Sequence, residues 1–177
     1  MKAIFLDIDG VLNCKTTPNP RKFPFMVDPI LLKRLKRLIG LTGAEVVLSS
    51  SWRFDPAGLF SAKCYGIPFS DTTPDEPGRP RCEEIRDWLH AHSNVERFIV
   101  IDDEDDQLDP LPLFQPSRKT GLTEEMVDAA AAYLNGTTNK DMRCGALVAY
   151  SRISASSSWD IRARADRQKD QTDGHAT

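Results

Sequence analysis

The sequence predicts an α/β fold with three layers, in which helices cover both faces of a mostly parallel sheet. Short apolar runs typical of buried strands alternate along the chain with segments of helical periodicity. The 177 residues, 40% of them hydrophobic, suffice for one globular domain. We expect this domain to span residues 1–139. Residues 140–177 are rich in serine and mixed charges, which predicts a weakly ordered polar tail.

The first part of the domain contains two predicted strands joined through a helix. Residues 3–6 form an apolar run that ends abruptly in acid, and residues 45–48 form a second apolar run. Between them, residues 28–39 repeat apolar side chains every three or four positions, which predicts an amphipathic helix. Gly40 and Gly43 are expected to end this helix.

The second part begins with a broken segment and then returns to regular elements. Residues 54–80 are interrupted by prolines and glycines, which predicts a loop-rich excursion with at most one short helix. Residues 82–91 are predicted to form a helix and residues 98–101 a third strand. A short fourth strand at residues 111–114 and a helix at residues 124–134 complete the domain.

Composition and charge argue against several classes of protein. A net charge of −3, from 23 basic and 26 acidic residues, argues against a protein that coats DNA. No apolar run approaches the roughly 18 residues of a membrane span, and the acids Asp7 and Asp9 interrupt the apolar start too early for a signal peptide. We therefore expect a cytoplasmic protein. The cysteines have no metal-binding spacing and are expected to be free thiols; they are Cys14, Cys64, Cys82 and Cys144.

Polar side chains follow three of the predicted strands. Asp7 and Asp9 come after the first strand, residues 49–51 are three serines after the second, and residues 102–106 are acidic after the third. In a parallel sheet the carboxyl ends of the strands meet at one edge, where the active crevice lies. Two acidic clusters and one hydroxyl cluster are therefore predicted to converge there.

The motifs at these strand ends resemble those of a known enzyme superfamily. D-x-D-G-V-L-N after an apolar strand resembles the first motif of the haloacid dehalogenase (HAD) superfamily of phosphotransferases. The serines, a basic residue ahead of a helix and a strand ending in Asp-Asp resemble the other three motifs, in order. More narrowly, S-S-S-W-R, R-x-x-E-I-x-x-W-L, I-D-D-E and G-L-T-E-E are similar to the HAD domain of Swiss Army Knife RNA repair proteins, over residues 1–136. The resemblance implies a Rossmann-like fold and a Mg²⁺-dependent phosphatase.

Phosphoester hydrolysis requires a nucleophile, a proton donor and neutralisation of the phosphoryl charge. Asp7 can be the nucleophile that forms an aspartyl-phosphate, because a carboxylate is already ionised at neutral pH. Asp9 can protonate the leaving oxygen and later accept a proton from water. The resemblance implies that Asp9 also offers its backbone carbonyl to Mg²⁺. Asp103 is the main further metal ligand that we expect beside Asp7, and Asp102 is the second choice. Asp106 is expected to hold metal-bound water or to lie close to Asp103.

Charge and hydroxyl groups complete the predicted site. Ser50 is expected to donate to a phosphoryl oxygen, although Ser49 and Ser51 are adjacent alternatives. Arg81 is expected to neutralise the phosphoryl group, with Arg79 as its competitor.

Four further residues are candidate substrate contacts: Ser49, Gly10, Asn13 and Arg53. Arg53 is expected either to contact a substrate phosphate or to form an ion pair with an acidic side chain. Trp52 is expected to pack beneath the crevice, and the alternative is stacking on a base.

Too few residues separate the motifs for a large cap domain, which predicts an open crevice. Such a site admits small phosphoesters or a bulky phosphorylated end of a nucleic acid or protein. Removal of a terminal phosphate from RNA or DNA is the nearest alternative function. A HAD-fold binding module without catalysis is a second. The sequence predicts no membrane partner.

Overall fold

The computed structural model describes residues 1–76, 78–105, 107–108 and 111–137. The predicted tail, residues 140–177, lies outside them. Five strands form one sheet, all of them parallel, in the order β3-β2-β1-β4-β5. In chain order the elements are β1 (Lys2–Leu6), α1 (Pro29–Thr42), β2 (Glu45–Leu48), a 3-10 helix (Ser51–Phe54), α2 (Pro56–Tyr65), β3 (Phe69–Thr72), α3 (Arg81–Ala91), β4 (Arg97–Ile101), β5 (Leu113–Phe114) and α4 (Glu124–Asn135). The predicted α/β class and parallel sheet are confirmed.

Two apolar layers cover the sheet. Ile4 and Leu6 of β1 belong to the cluster that α1 and α4 complete, whereas Ala3 and Phe5 belong to the cluster that α3 completes. This split follows from the alternation of side chains along a strand. Because apolar residues fill both faces, β1 reads as a continuous hydrophobic run, as buried parallel strands do. The predicted three layers are therefore present.

The register brings the ends of the three central strands side by side. Leu6, the last residue of β1, pairs with Leu48 of β2 on one side and with Ile101 of β4 on the other. The residues that follow these three positions therefore lie at one edge of the sheet, which is the edge that the sequence predicts for the site.

The structure differs from the sequence prediction in three elements. The strand predicted at residues 111–114 is shortened to the two residues of β5, which begins after Pro112. Helix α1 continues through Gly40 and ends at Thr42, with Gly43 as a left-handed C-cap at φ 65°. Gly40 therefore lies inside the last turn of the helix and does not end it. Strand β3 was not predicted. Its polar sequence is half exposed, and it forms only because β2 offers an open edge to which it can pair.

The described residues include no helix with both the length and the apolar character needed to cross a membrane. Cys14, Cys64 and Cys82 are free thiols, as expected, and Cys144 lies outside the described residues.

Candidate active site

Asp7 follows β1 and is almost completely buried. Its backbone N–H continues the sheet ladder by donating to the last carbonyl of β4, 2.9 Å away. Burial raises the pKa of the Asp7 carboxyl from 3.8 to about 7, against the opposing charge of Arg81. The carboxylates of Asp102 and Asp9 add to the rise, and a hydrogen bond from the Ser50 hydroxyl opposes it. Asp7 therefore needs additional positive charge nearby to be fully ionised at neutral pH.

Asp9 lies two residues further along, with its side chain exposed. Its Oδ1 accepts a hydrogen bond from Asn13 Nδ2 at 2.7 Å, and its Oδ2 accepts one from Trp52 Nε1 at 2.8 Å. Asn13 Oδ1 also accepts from the backbone N–H of Gly10, at 3.0 Å, which closes the loop after β1. Two donors thus fix the carboxylate of Asp9 while it remains open to solvent, an arrangement suited to proton exchange.

The three serines after β2 have different surroundings. Ser50 is the N-cap of the 3-10 helix; its Oγ accepts from the N–H of Trp52 at 3.4 Å, and its hydroxyl donates to the carboxylate of Asp7. Ser49 is buried, and its Oγ has no hydrogen-bond partner among the described residues. Ser51 is exposed. Ser50 is therefore the serine whose hydroxyl lies at the predicted nucleophile.

Arg53 lies beneath these serines and not at the surface of the site. It forms an ion pair with Glu84 of α3, and the two side chains are only 3% and 4% exposed. Its Nη1 donates to the carbonyls of Ser49 and Ser50, the latter at 3.0 Å. The placement does not support a substrate contact for Arg53, because its guanidinium is enclosed and bonded to the protein. It matches the alternative, in which Arg53 pairs with an acid.

Trp52 is also buried, as expected. It is 2% exposed and packs edge to face against Phe25, with ring centroids 5.0 Å apart. Its indole N–H is the donor that holds Asp9. Trp52 therefore packs beneath the loop after β1 and offers no face to a base.

Arg81 is the first residue of α3 and enters the site from its side. Its Nη1 lies 3.8 Å from Asp7 Oδ1 and forms an ion pair with the fully buried carboxylate of Asp102. Burial raises the pKa of Asp102 as well, and Arg81 opposes that rise. Arg79 pairs instead with three acidic side chains that do not belong to the site. Of the two competing arginines, the structure brings Arg81 to Asp7.

Asp103 lies against the backbone of Gly10. A Cβ at Gly10 would overlap the Asp103 carboxylate, and the backbone there has φ 74°, so glycine is needed for both the space and the turn. Arg118 forms ion pairs with Asp103 and with Glu104, and it is 58% exposed. Asp103 is thus a nearly buried carboxylate at the edge of the site with one exposed basic partner.

The sequence analysis does not identify Arg118. The residue lies in a tight turn closed by an antiparallel bridge between Ser117 and Gly121, and its carbonyl accepts from the N–H of Lys15 at 2.9 Å. It lies four residues beyond the predicted strand at residues 111–114 and belongs to none of the motifs. Only contacts between distant parts of the chain reveal its position.

Three carboxylates could hold a metal ion. Asp7, Asp102 and Asp103 each offer an oxygen, and these oxygens lie within 4.8 Å of one another. Oxygen ligands of this kind suit Mg²⁺. Two of the three carboxyls have raised pKa values because they are buried with too little positive charge, which a divalent cation would correct. The side chain of Asp9 is not part of this group, and Asp106 lies outside the described residues.

Comparison with known proteins agrees with this geometry. The family model described as the HAD domain in Swiss Army Knife RNA repair proteins matches residues 3–127. The match includes every candidate residue described above, from the loop after β1 to Arg118. A comparison with curated proteins finds no similar sequence.

Proposed function

Because this chain belongs to the family of HAD domains found in Swiss Army Knife RNA repair proteins, we propose that it is a Mg²⁺-dependent phosphomonoester hydrolase acting through an aspartyl-phosphate. The main support is the placement of Asp7. A buried carboxylate at a strand end receives the Ser50 hydroxyl, lies 3.8 Å from Arg81 and shares the edge with two further carboxylates. A buried reactive carboxylate with charge partners is typical of a nucleophile.

In the first step, Asp7 Oδ attacks phosphorus and the bond from phosphorus to the leaving oxygen breaks. Asp9 in its protonated form delivers its proton to that oxygen. In the second step, Asp9 takes a proton from water as the water oxygen attacks the phosphoryl group on Asp7. The phosphorus–carboxylate bond breaks, inorganic phosphate leaves, and both aspartates return to their starting forms.

Two side chains stabilise the phosphoryl charge during transfer. The Ser50 hydroxyl lies at Asp7 and can move its hydrogen bond from the carboxylate to a phosphoryl oxygen. Arg81 can contact a second oxygen while keeping its ion pair with Asp102. The Arg53–Glu84 pair contributes indirectly, because its bonds to the carbonyls of Ser49 and Ser50 hold the serine turn in place.

Asp7, Asp102 and Asp103 would hold Mg²⁺, together with the backbone carbonyl of Asp9. Bound there, the ion would supply positive charge that offsets both the carboxylates and the phosphate. Asp103 is positioned for this role by its close approach to Gly10.

A terminal phosphate of RNA is the substrate class that we propose within this chemistry. The family is named for RNA repair proteins. Between the first and third motifs the described part of the chain holds α1, β2, the 3-10 helix, α2 and β3, which is too little for a large cap domain. Asp9 is exposed, so a chain end can reach the site. A binding module without catalysis would have no need for a charge-unbalanced nucleophile at this position.

The test compares hydrolysis of phenyl phosphate with that of oligonucleotides bearing a 3′- or 5′-phosphate, each in Mg²⁺ and in excess EDTA. We expect turnover in Mg²⁺ and none in EDTA. Full activity in EDTA would contradict metal dependence. Release of phosphate from phenyl phosphate but from neither oligonucleotide end would contradict the RNA substrate. No turnover of any phosphoester would leave the binding module as the explanation.

A further inference from the structure

A cleft lined by aromatic side chains lies between helix α2 and the loop that precedes α1. It encloses about 410 Å³, and its rings come from Phe23, Phe25, Phe60 and Tyr65. Phe23 is 50% exposed and Phe60 is 69% exposed. Large apolar side chains that cluster on the surface in this way are typical of a binding site.

The cleft is linked to the candidate active site through packed side chains. Phe25 packs edge to face on Trp52, with centroids 5.0 Å apart, and Trp52 donates to Asp9. The Tyr65 hydroxyl donates to the carbonyl of Phe25 at 3.3 Å, which joins α2 to the same loop. A single buried ring therefore separates the wall of the cleft from the predicted general acid.

The loop that carries Phe23 is held in one conformation. Asn19 bonds to Phe23 twice, accepting from its N–H at 2.9 Å and donating to its carbonyl at 2.8 Å. Lys22, between them, has a left-handed backbone with φ 52°, which the turn imposes. A preformed loop lowers the entropy cost of binding a ligand to Phe23.

Basic side chains flank the aromatic residues. Arg21 and Lys22 precede Phe23, and Lys63 lies on α2 beside the cleft residues; all three are exposed. Over the ranges that the structure covers, no carboxylate forms an ion pair with them, whereas Arg34, Arg37, Arg79 and Arg118 are all paired. Rings for stacking and unpaired cations beside them fit a single-stranded polyanion.

We propose that this cleft binds the terminal bases of a single-stranded nucleic acid whose end phosphate lies at Asp7. This inference rests on the proposed function and adds the surface that holds the strand. The active-site edge is rich in carboxylates, so it cannot supply the affinity for a polyanion. Stacking on the rings and contacts with the basic side chains supply it instead, without preference for sequence.

The direct test is a binding titration with an oligonucleotide that carries 2-aminopurine next to its terminal phosphate. It is performed in Mg²⁺ with the Asp7→Asn variant, because this substitution blocks turnover. Stacking on the rings quenches the fluorophore. We expect the parent to quench the fluorophore. Phe60→Ala should lower the affinity for the oligonucleotide at least about tenfold, because stacking of one base on a ring contributes a binding free energy of that size. Phe60→Trp should retain binding, and Ile30→Ala should leave it unchanged. Ile30 is a matched control, since it is 64% exposed on α1 and does not line the cleft.

A kinetic test separates docking from chemistry. With Asp7 intact, Phe60→Ala should raise KM for the oligonucleotide about tenfold or more and leave turnover of phenyl phosphate unchanged. Lys22→Gln combined with Lys63→Gln should reduce the slope of log affinity against log salt by one to two.

The outcomes distinguish the two proposals. Equal binding by the parent and Phe60→Ala, or no quenching at all, would overturn the cleft proposal whether or not phenyl phosphate is hydrolysed. Tighter binding in Phe60→Ala would also overturn it, because it would show that a protein segment covers the cleft. Quenching that depends on Phe60 without turnover of any phosphoester would support the cleft and contradict the proposed function.

Discussion

Two groups of buried charge lie a few residues apart in this protein, and they are balanced in opposite ways. The Arg53–Glu84 pair beneath the serine turn is one cation with one anion, both enclosed. The edge at the candidate site gathers Asp7, Asp102 and Asp103, and Arg81, whose side chain is 17% exposed, is the cation that contacts the first two. The first group is neutral, and its two charges are already paired with each other. The second lacks positive charge and is suited to take up a cation and a phosphate.

The difference shows how one fold can combine a matched charge pair with a group of unmatched carboxylates. A closed ion pair with bonds to backbone carbonyls fixes the geometry, whereas unmatched carboxylates cost stability and provide reactivity. Removing a charge should therefore have opposite consequences in the two groups. Each prediction below changes one member of one group.

The largest effect is expected from Asp7→Asn. The amide cannot attack phosphorus, so turnover of phenyl phosphate should fall by about a thousandfold or more. Circular dichroism should show an unchanged fold. Retained activity in a folded variant would contradict Asp7 as the nucleophile.

In the neutral group, Arg53→Met should lower the free energy of unfolding by about 3–5 kcal/mol, because it leaves the Glu84 carboxylate buried without its cation. Chemical denaturation measures this. Arg37→Gln is the control, since Arg37 is 44% exposed, its two acidic partners are more exposed still, and its ion pairs should contribute far less to stability than the enclosed pair. Combining Arg53→Met with Glu84→Leu should restore much of the stability. Equal effects of the Arg53 and Arg37 changes would remove the contrast between enclosed and exposed pairs.

Arg81 tests which arginine serves the site. Arg81→Ala should lower kcat/KM for phenyl phosphate by roughly 100- to 1,000-fold, as removal of a charge-stabilising donor does. Arg79→Ala should change it by less than about threefold, because its partners lie outside the site. Arg81→Lys should retain part of the activity. A larger loss in Arg79→Ala would contradict the placement of Arg81 at Asp7.

The smallest expected effect is the contribution of Asp7 to the pH dependence of the free energy of unfolding, measured without metal. Burial raises the pKa of Asp7 to about 7, so the folded state binds a proton that the unfolded state releases near pH 4. This contribution to stability is complete below about pH 4 and is lost as the pH rises through about 7. In EDTA at pH 8, Asp7→Asn should therefore be more stable than the parent by roughly 1–3 kcal/mol.

Thermal unfolding at pH 5 and pH 8 checks the sign. The advantage of Asp7→Asn should shrink at pH 5, and added Mg²⁺ should stabilise the parent more than the variant at pH 8. A parent that gains stability as pH rises, relative to Asp7→Asn, would show that Asp7 is ionised at little cost without metal.

Much of this architecture could be predicted from local pattern. The strands β1, β2 and β4 are short apolar runs followed by polar residues, and α4 begins at Glu124, where the helix is predicted to begin. Strand β3 could not be predicted, because its sequence is polar and only the free edge of β2 makes it a strand. The convergence of Asp7, Ser50 and Asp102 follows from the parallel order of strands, which the alternation of elements already implies.

The sequence by itself determined the fold class, the strand ends that carry chemistry and the order of the motifs, since these depend on neighbours in the chain. The tertiary structure alone decided which arginine meets which carboxylate. It buried Arg53 against Glu84, brought Arg81 and not Arg79 to Asp7, and placed Arg118 on Asp103. An arginine side chain is long and can reach several partners, so its partner depends on packing between distant elements and not on local sequence.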